Sequence, residues 1–143
     1  MPALKLDVSL IHVDRADRRG VCQIAGPDHY MDDWYARAAD RTYVSCDELV
    51  ETEFFHDPDQ ARLVHWERSA TTGVVHIPGG AHPSSCNPRY GFDVSHFKAY
   101  AASAKAESGF KGYIDQYLGS TESEYQQNVG GLEAITSLEK PLY

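Results

Sequence analysis

The apolar pattern begins almost at once. Leu6-Asp7-Val8-Ser9-Leu10-Ile11-His12-Val13 is mostly apolar and partly β-branched, which predicts a strand. Residues 14–20 follow as a charged turn closed by Gly20, and residues 21–24 as a second short strand. Gly26-Pro27-Asp28 breaks the run and offers Asp28 as a helix cap. Beyond it Tyr30, Trp34 and Ala38 fall four apart, as do Met31, Tyr35 and Ala39. That spacing predicts a helix with one broad apolar face. Residues 41–46 return to strand character, so 21–46 form a strand–helix–strand unit.

Residues 47–60 are acidic and irregular, with Pro58 among them. Residues 63–66 and 73–77 are two further short strands, and the glycine–proline segment 78–83 ends the sheet-forming part. After residue 92 the spacing becomes helical. Val94, Phe97, Ala101 and Ala104 share one face; Phe110, Tyr113, Ile114, Tyr117 and Leu118 share another, with Gly119 as a stop. Thr121-Glu122-Ser123-Glu124 matches a capping box for a short last helix, which Gly130-Gly131 ends. Residues 132–143 read as a loosely packed tail.

The order of elements predicts one α/β domain: 1–92 mainly strands, 93–129 helical, 130–143 tail. Four or five short strands are few for a closed layer and leave sheet edges to be paired. The short lead-in before Leu6 points the same way. Sheet-forming sequence upstream of Met1, or on a partner chain, is expected.

Composition narrows the class. The 143 residues are 42% hydrophobic, with nine Tyr, five Phe and two Trp, enough for a packed core. The net charge of -8 argues against nucleic acid or an anionic membrane as the main partner, yet allows an anionic ligand held locally by backbone N–H groups. Cys22, Cys46 and Cys86 are odd in number and form no CxxC, which fits reduced thiols in a cytoplasmic protein. No apolar run approaches the ~20 residues of a membrane span, and no secretory signal opens the chain.

The most informative segment for chemistry is Pro78-Gly79-Gly80-Ala81-His82-Pro83-Ser84-Ser85-Cys86, at the end of a predicted strand. Ligands in open α/β sheets bind beyond strand carboxyl ends. Paired glycines allow close backbone approach, Ser84 and Ser85 add hydroxyls, and His82 can pass a proton. The plain alternative is a tight loop with His82 satisfied by a backbone carbonyl. Ser84 and Cys86 lack a G-x-S-x-G elbow, so neither is assigned as nucleophile. The acidic stretch 47–53 allows a general base or metal ligands; a solvated loop or a helix start explains it as well. Asp28-His29 with Asp32-Asp33 is better explained by capping than by a metal. The seven histidines include no HxH and no HExxH, and no metal is expected.

Four segments in order carry a resemblance. Residues 1–8 with Ile11-His12-Val13, Ala16-Asp17 and Gly20 resemble a mid-chain segment of class I coenzyme A transferase alpha subunits. So do Glu48-Leu49-Val50-Glu51-Thr52-Glu53, Pro78-Gly79-Gly80-Ala81-His82-Pro83 and Tyr90-Gly91-Phe92-Asp93. The match runs from residue 1 to about residue 129. One branch is similar in more detail, down to Tyr117-Leu118-Gly119-Ser120-Thr121-Glu122-Ser123-Glu124-Tyr125-Gln126. It hydrolyses a carbon–carbon bond in a ring-opened steroid CoA thioester.

The resemblance implies the C-terminal part of an open α/β sandwich of the CoA-transferase type. It implies a hetero-oligomer that includes the N-terminal half of the alpha subunit, together with a beta-type subunit. It also implies coenzyme A as part of the substrate, with no permanently bound cofactor. The expected reaction is movement of CoA between carboxylic acids, with hydrolytic ring cleavage or a non-catalytic assembly role as alternatives. The family's nucleophilic or essential glutamates belong to regions not matched here, so no catalytic residue is carried over. Gly79, Gly80, Ala81, His82, Ser84, Ser85 and Tyr90 are the implied substrate-binding or interface residues.

Overall fold

The computed structural model describes residues 3–27 and 29–140, so the proposed Asp28 cap and the last three tail residues lie outside the described residues. Its contacts divide into two compact units, Met1–Gly80 and Ala81–Tyr143.

The first unit holds one four-stranded sheet in the order β2-β1-β3-β4. Strand β1 is Leu6–Asp17, β2 is Cys22–Gln23, β3 is Ala39–Val50 and β4 is Gly73–His76. Strands β1, β3 and β4 run parallel, and β2 is antiparallel to β1. Leu10 pairs with Tyr43, His12 with Ser45, and Ser45 with Val75. Side chains alternate across a strand, so the sheet has two unlike faces. One face packs Ile11, Val13, Val44 and Cys46 against Ile24, Trp66 and Ala36 of helix α1, Asp32–Ala38. The other leaves Leu10 79%, Tyr43 38% and Val75 52% exposed. Parallel sheets normally bury both faces.

Several expectations change here. Strand β1 continues through Asp14–Asp17 because those carboxylates find local donors. Asp14 accepts from the Ala25 N–H at 2.7 Å, and Asp17 from the N–H groups of Arg19 and Val21 and the Thr52 hydroxyl. Strand β3 likewise takes in the first residues of the acidic stretch. Arg15 pairs with Glu48 in register and bonds its carboxylate at 2.8 Å. Residues 63–66 make no strand. Trp66 is buried by packing, and its indole N–H donates to Thr71. Helix α1 does not bury its broad apolar face: Trp34 and Tyr35 are exposed, and Ala36 is its one buried residue.

The second unit carries α3 (Val94–Ser103), α4 (Glu107–Tyr117), α5 (Glu122–Asn128) and α6 (Leu132–Thr136); the short α2, Pro58–Ala61, belongs to the first unit. The capping box at Thr121 and Glu124 forms as expected. The faces differ from the pattern: Val94 and Phe97 are exposed, while His96 is buried. The tail is not loose. Gly130 and Gly131 turn at φ of 105° and 93°, a conformation that favours glycine, and deliver α6 so that Ile135 is 1% exposed beside Cys86 and Tyr90.

Candidate functional site

In the first unit a polar cluster stands on the open sheet face, toward the strand carboxyl ends. β1 supplies His12, and β3 supplies Ser45 and Asp47. His12 Nε2 meets Asp47 Oδ2 at 2.9 Å, and Nδ1 meets the Ser45 hydroxyl at 2.9 Å. The loop after β4 closes on the same carboxylate, with the Gly79 N–H donating to Asp47 Oδ1 at 2.6 Å. Gly79 has φ 76°, which a side chain would strain. A Cβ on Gly80 would meet Ile77 at 2.9 Å and His12 at 3.0 Å. The two glycines therefore let backbone lie directly on the His12 ring.

The carboxylate fixes the proton. An ionised Asp47 only accepts, so His12 donates from Nε2 and takes the Ser45 O–H at Nδ1. His76 donates from Nε2 to the Asp47 carbonyl at 3.1 Å. Side-chain exposure of 13% for His12 and 4% for Asp47 shields the pair from competing water. Beside it the groove over Leu10, His12, Tyr43, Ser45, Val75 and Ile77 encloses about 340 Å³ and is largely apolar. An apolar trough ending in a hydroxyl that an oriented imidazole holds by its proton can hold an acyl chain and offers the Ser45 oxygen as an acceptor at its end.

The second unit holds a separate cluster. His82 Nδ1 meets the Tyr125 hydroxyl at 2.7 Å, and Nε2 meets Asp93 Oδ2 at 3.2 Å. Asp93 also caps α3, accepting from the His96 N–H at 2.8 Å and from the Ser95 hydroxyl. Burial pushes the Asp93 carboxyl up, but the hydrogen bonds from Ser95, His96 and His82 outweigh it and hold it at about 2. His96 Nε2 meets the Tyr113 hydroxyl at 2.6 Å, and the two imidazoles lie edge to face at 5.0 Å. Burial, then the neighbouring His82, lowers the His96 pKa. Burial, then Tyr113, raises that of Tyr125 to about 12.

The predicted residues take different places. Gly79 and Gly80 join the His12–Asp47 cluster. In the second unit the Ala81 N–H donates to the buried Tyr90 hydroxyl, Ser84 is exposed and Ser85 is half-buried. His82 is not satisfied by a backbone carbonyl; both its nitrogens face side chains. Asp47 lies in the acidic stretch that allowed a general base, whereas His12, His96, Tyr113 and Tyr125 were not legible as site residues. A histidine inside the apolar run 6–13 was the one available signal.

A mostly parallel sheet with a polar cluster and a glycine loop toward its carboxyl ends is where open α/β folds place their ligands. No family model matches the chain. Over 131 residues it is 37% identical to the cholesterol ring-cleaving hydrolase IpdA subunit of Mycobacterium tuberculosis, covering 90% of this chain and 44% of that protein. It is 31% identical to the A-type subunit of 3-oxoadipate CoA-transferase from Pseudomonas knackmussii, covering 90% and 45%. The structure of glutaconate coenzyme A-transferase from Acidaminococcus fermentans superposes with a TM-score of 0.85 at 26% identity, covering 96% of this chain and 43% of that one. Over 90% of its length the chain is thus homologous to A-type subunits of coenzyme A-transferases and to a ring-cleaving hydrolase subunit. It spans less than half the length of the curated proteins it matches.

Proposed function

We propose that the chain is the C-terminal half of an alpha-type subunit in a heteromeric enzyme that processes acyl-CoA thioesters. The carrying observation is the apolar sheet face that ends in His12, Asp47 and the Gly79-Gly80 loop. The N-terminal half of the subunit covers that face, and a beta-type subunit supplies the nucleophilic carboxylate. Coenzyme A enters as part of the substrate, and no resident cofactor is required. Gly79 and Gly80 border the acyl group. Ala81, His82, Ser84, Ser85 and Tyr90 shape the segment that meets the other subunits. The buried cysteines Cys22, Cys46 and Cys86 fit a reducing cytoplasm. Among the described residues no helix is long and apolar enough to cross a membrane.

The reaction assigned first is movement of CoA between carboxylic acids. The 37% identity to a ring-cleaving hydrolase subunit favours a second reading, hydrolytic carbon–carbon cleavage of a steroid-derived CoA thioester. Supplying the reconstituted complex with acyl-CoA, with and without an acceptor carboxylate, separates them. Transfer stops without the acceptor, and hydrolysis continues. An assembled complex inert toward every acyl-CoA would leave this chain an assembly module only.

A further inference from the structure

We propose that His82, Asp93 and His96 form a binding site for one divalent transition-metal cation of the zinc class. One ring nitrogen of each histidine and a carboxylate oxygen of Asp93 lie within 4.8 Å of one another. Bonds of 2.0–2.1 Å in tetrahedral geometry place ligand atoms roughly 3.3 Å apart. His82 Nε2 and Asp93 Oδ2 already stand 3.2 Å apart, so that edge is formed. Asp93 and His96 sit three apart across the start of α3, the spacing that puts two side chains on one side of a helix. Asp93 spends Oδ1 on the cap and keeps Oδ2 toward His82.

The surroundings are those of ligating histidines, whose second nitrogen is held by an outer partner. Tyr113 holds His96 Nε2, and among the described residues no other hydrogen bond is made by that ring. His96 Nδ1 is left to ligate. Tyr125 holds His82 Nδ1 and sits 3.5 Å from the His82 carbonyl oxygen. When the cation takes Nε2, the imidazole proton moves to Nδ1 and donates to the Tyr125 oxygen. The Tyr125 O–H then turns to that carbonyl. Every proton keeps an acceptor, and none need be released. A cavity of about 240 Å³ bordered by Asp93, His96, Tyr117 and Asn128 leaves room for a water as fourth ligand. Nitrogen and oxygen donors suit zinc, cobalt or iron over magnesium or calcium. Residues 82, 93 and 96 fit no familiar ligand spacing, and only folding brings them together.

The test is a Co²⁺ titration of the full chain after treatment with chelator, followed by visible absorption and displacement with Zn²⁺. The expected result is about one equivalent bound with the intense bands of four-coordinate cobalt, bleached by zinc. H96Q and D93N, each checked for native circular dichroism, are expected to abolish the bands. Y113F is expected to weaken binding by about 10- to 100-fold through the outer shell. A wild-type chain without such bands overturns the site, whatever the variants do. So does a folded H96Q that binds cobalt as the wild type does. Neither readout depends on acyl-CoA chemistry.

Discussion

His12 on β1 and Asp47 on β3 meet at 2.9 Å, and the second oxygen of Asp47 reaches the Gly79 N–H at 2.6 Å. One buried carboxylate thus ties two parallel strands to the loop that follows a third. Replacing Asp47 by Ala leaves two donors without an acceptor in a site that admits little water. Asp47→Ala is expected to cost about 1–3 kcal/mol per stranded donor. Asp47→Asn, which keeps one acceptor for Gly79, is expected to cost less. Urea unfolding of both variants checks this, and equal midpoints for D47A and wild type would refute it.

The close approach at Gly80 gives a second expectation. A methyl group there would press on Ile77 and on the His12 ring, and Ile77 contributes backbone as well as side chain to the contact. The loop must shift, which overpacking data put at about 1–3 kcal/mol. Gly80→Ala is expected to lower the thermal midpoint and to move the His12 ring resonances in an NMR spectrum. Gly112, with open space around its Cα, is the control. Gly112→Ala sits inside α4 and is expected to be neutral or stabilising.

The cluster in the second unit predicts how stability varies with pH. The Asp93 carboxyl drops from its ordinary 3.8 to about 2, so its contribution is present above about 4 and lost as pH falls toward 2. The His96 pKa is lowered, so the folded state prefers the neutral ring. That preference is satisfied above the ordinary 6.5 and lost as pH falls below it. Tyr125 is raised from 10.0 to about 12, so its contribution is present below 10 and lost as pH rises toward 12. Burial also raises the Cys22 thiol from 9.0 to about 12, so thermal midpoints, measured across pH with chelator present, are expected to form a plateau between roughly 6.5 and 9. D93N should flatten the most acidic slope, H96Q the slope below neutrality, and Y125F the alkaline slope. Unchanged slopes in all three variants would contradict the geometry.

Much of the sheet was legible because it is written locally. Val74 and Val75, ahead of Pro78-Gly79-Gly80, mark a strand and its stop within a few residues, and β4 lies there. The rest depends on partners distant in sequence. Asp47 and Glu48 look like loop residues until His12, Gly79 and Arg15 are placed beside them. Leu63 and Trp66 have strand composition, yet Trp66 gains its burial from packing and one indole hydrogen bond, with no ladder. His82 finds its partners 11 and 43 residues away, at Asp93 and Tyr125, a pairing no local pattern encodes. Helical spacing marked α1, but of the six residues on the expected face only Trp34, Tyr35 and Ala38 lie in it; Tyr30 and Met31 precede it and Ala39 opens β3. The spacing did not say whether this unit would cover that face, and Trp34 remains 68% exposed.

The open sheet face separates stability from assembly. Leu10, at 79% exposure, and Val75, at 52%, bury little here, so changing them removes little from the core. Leu10→Lys is expected to shift the stability of the isolated chain by less than about 0.5 kcal/mol, as for other surface changes. On the proposed assembly, in which an N-terminal half covers this face, the same lysine would place a charge in the middle of a buried apolar layer. An unpaired charge in such a place costs several kcal/mol, enough to abolish the complex. Ile11→Lys, on the opposite and buried face, is expected to unfold the chain itself. Co-expression with an N-terminal alpha half and a beta-type subunit, followed by size-exclusion chromatography, distinguishes the cases. L10K should give a folded chain that elutes alone, and I11K no folded chain. An L10K chain that enters the complex and supports full turnover would show that some other surface receives the missing half.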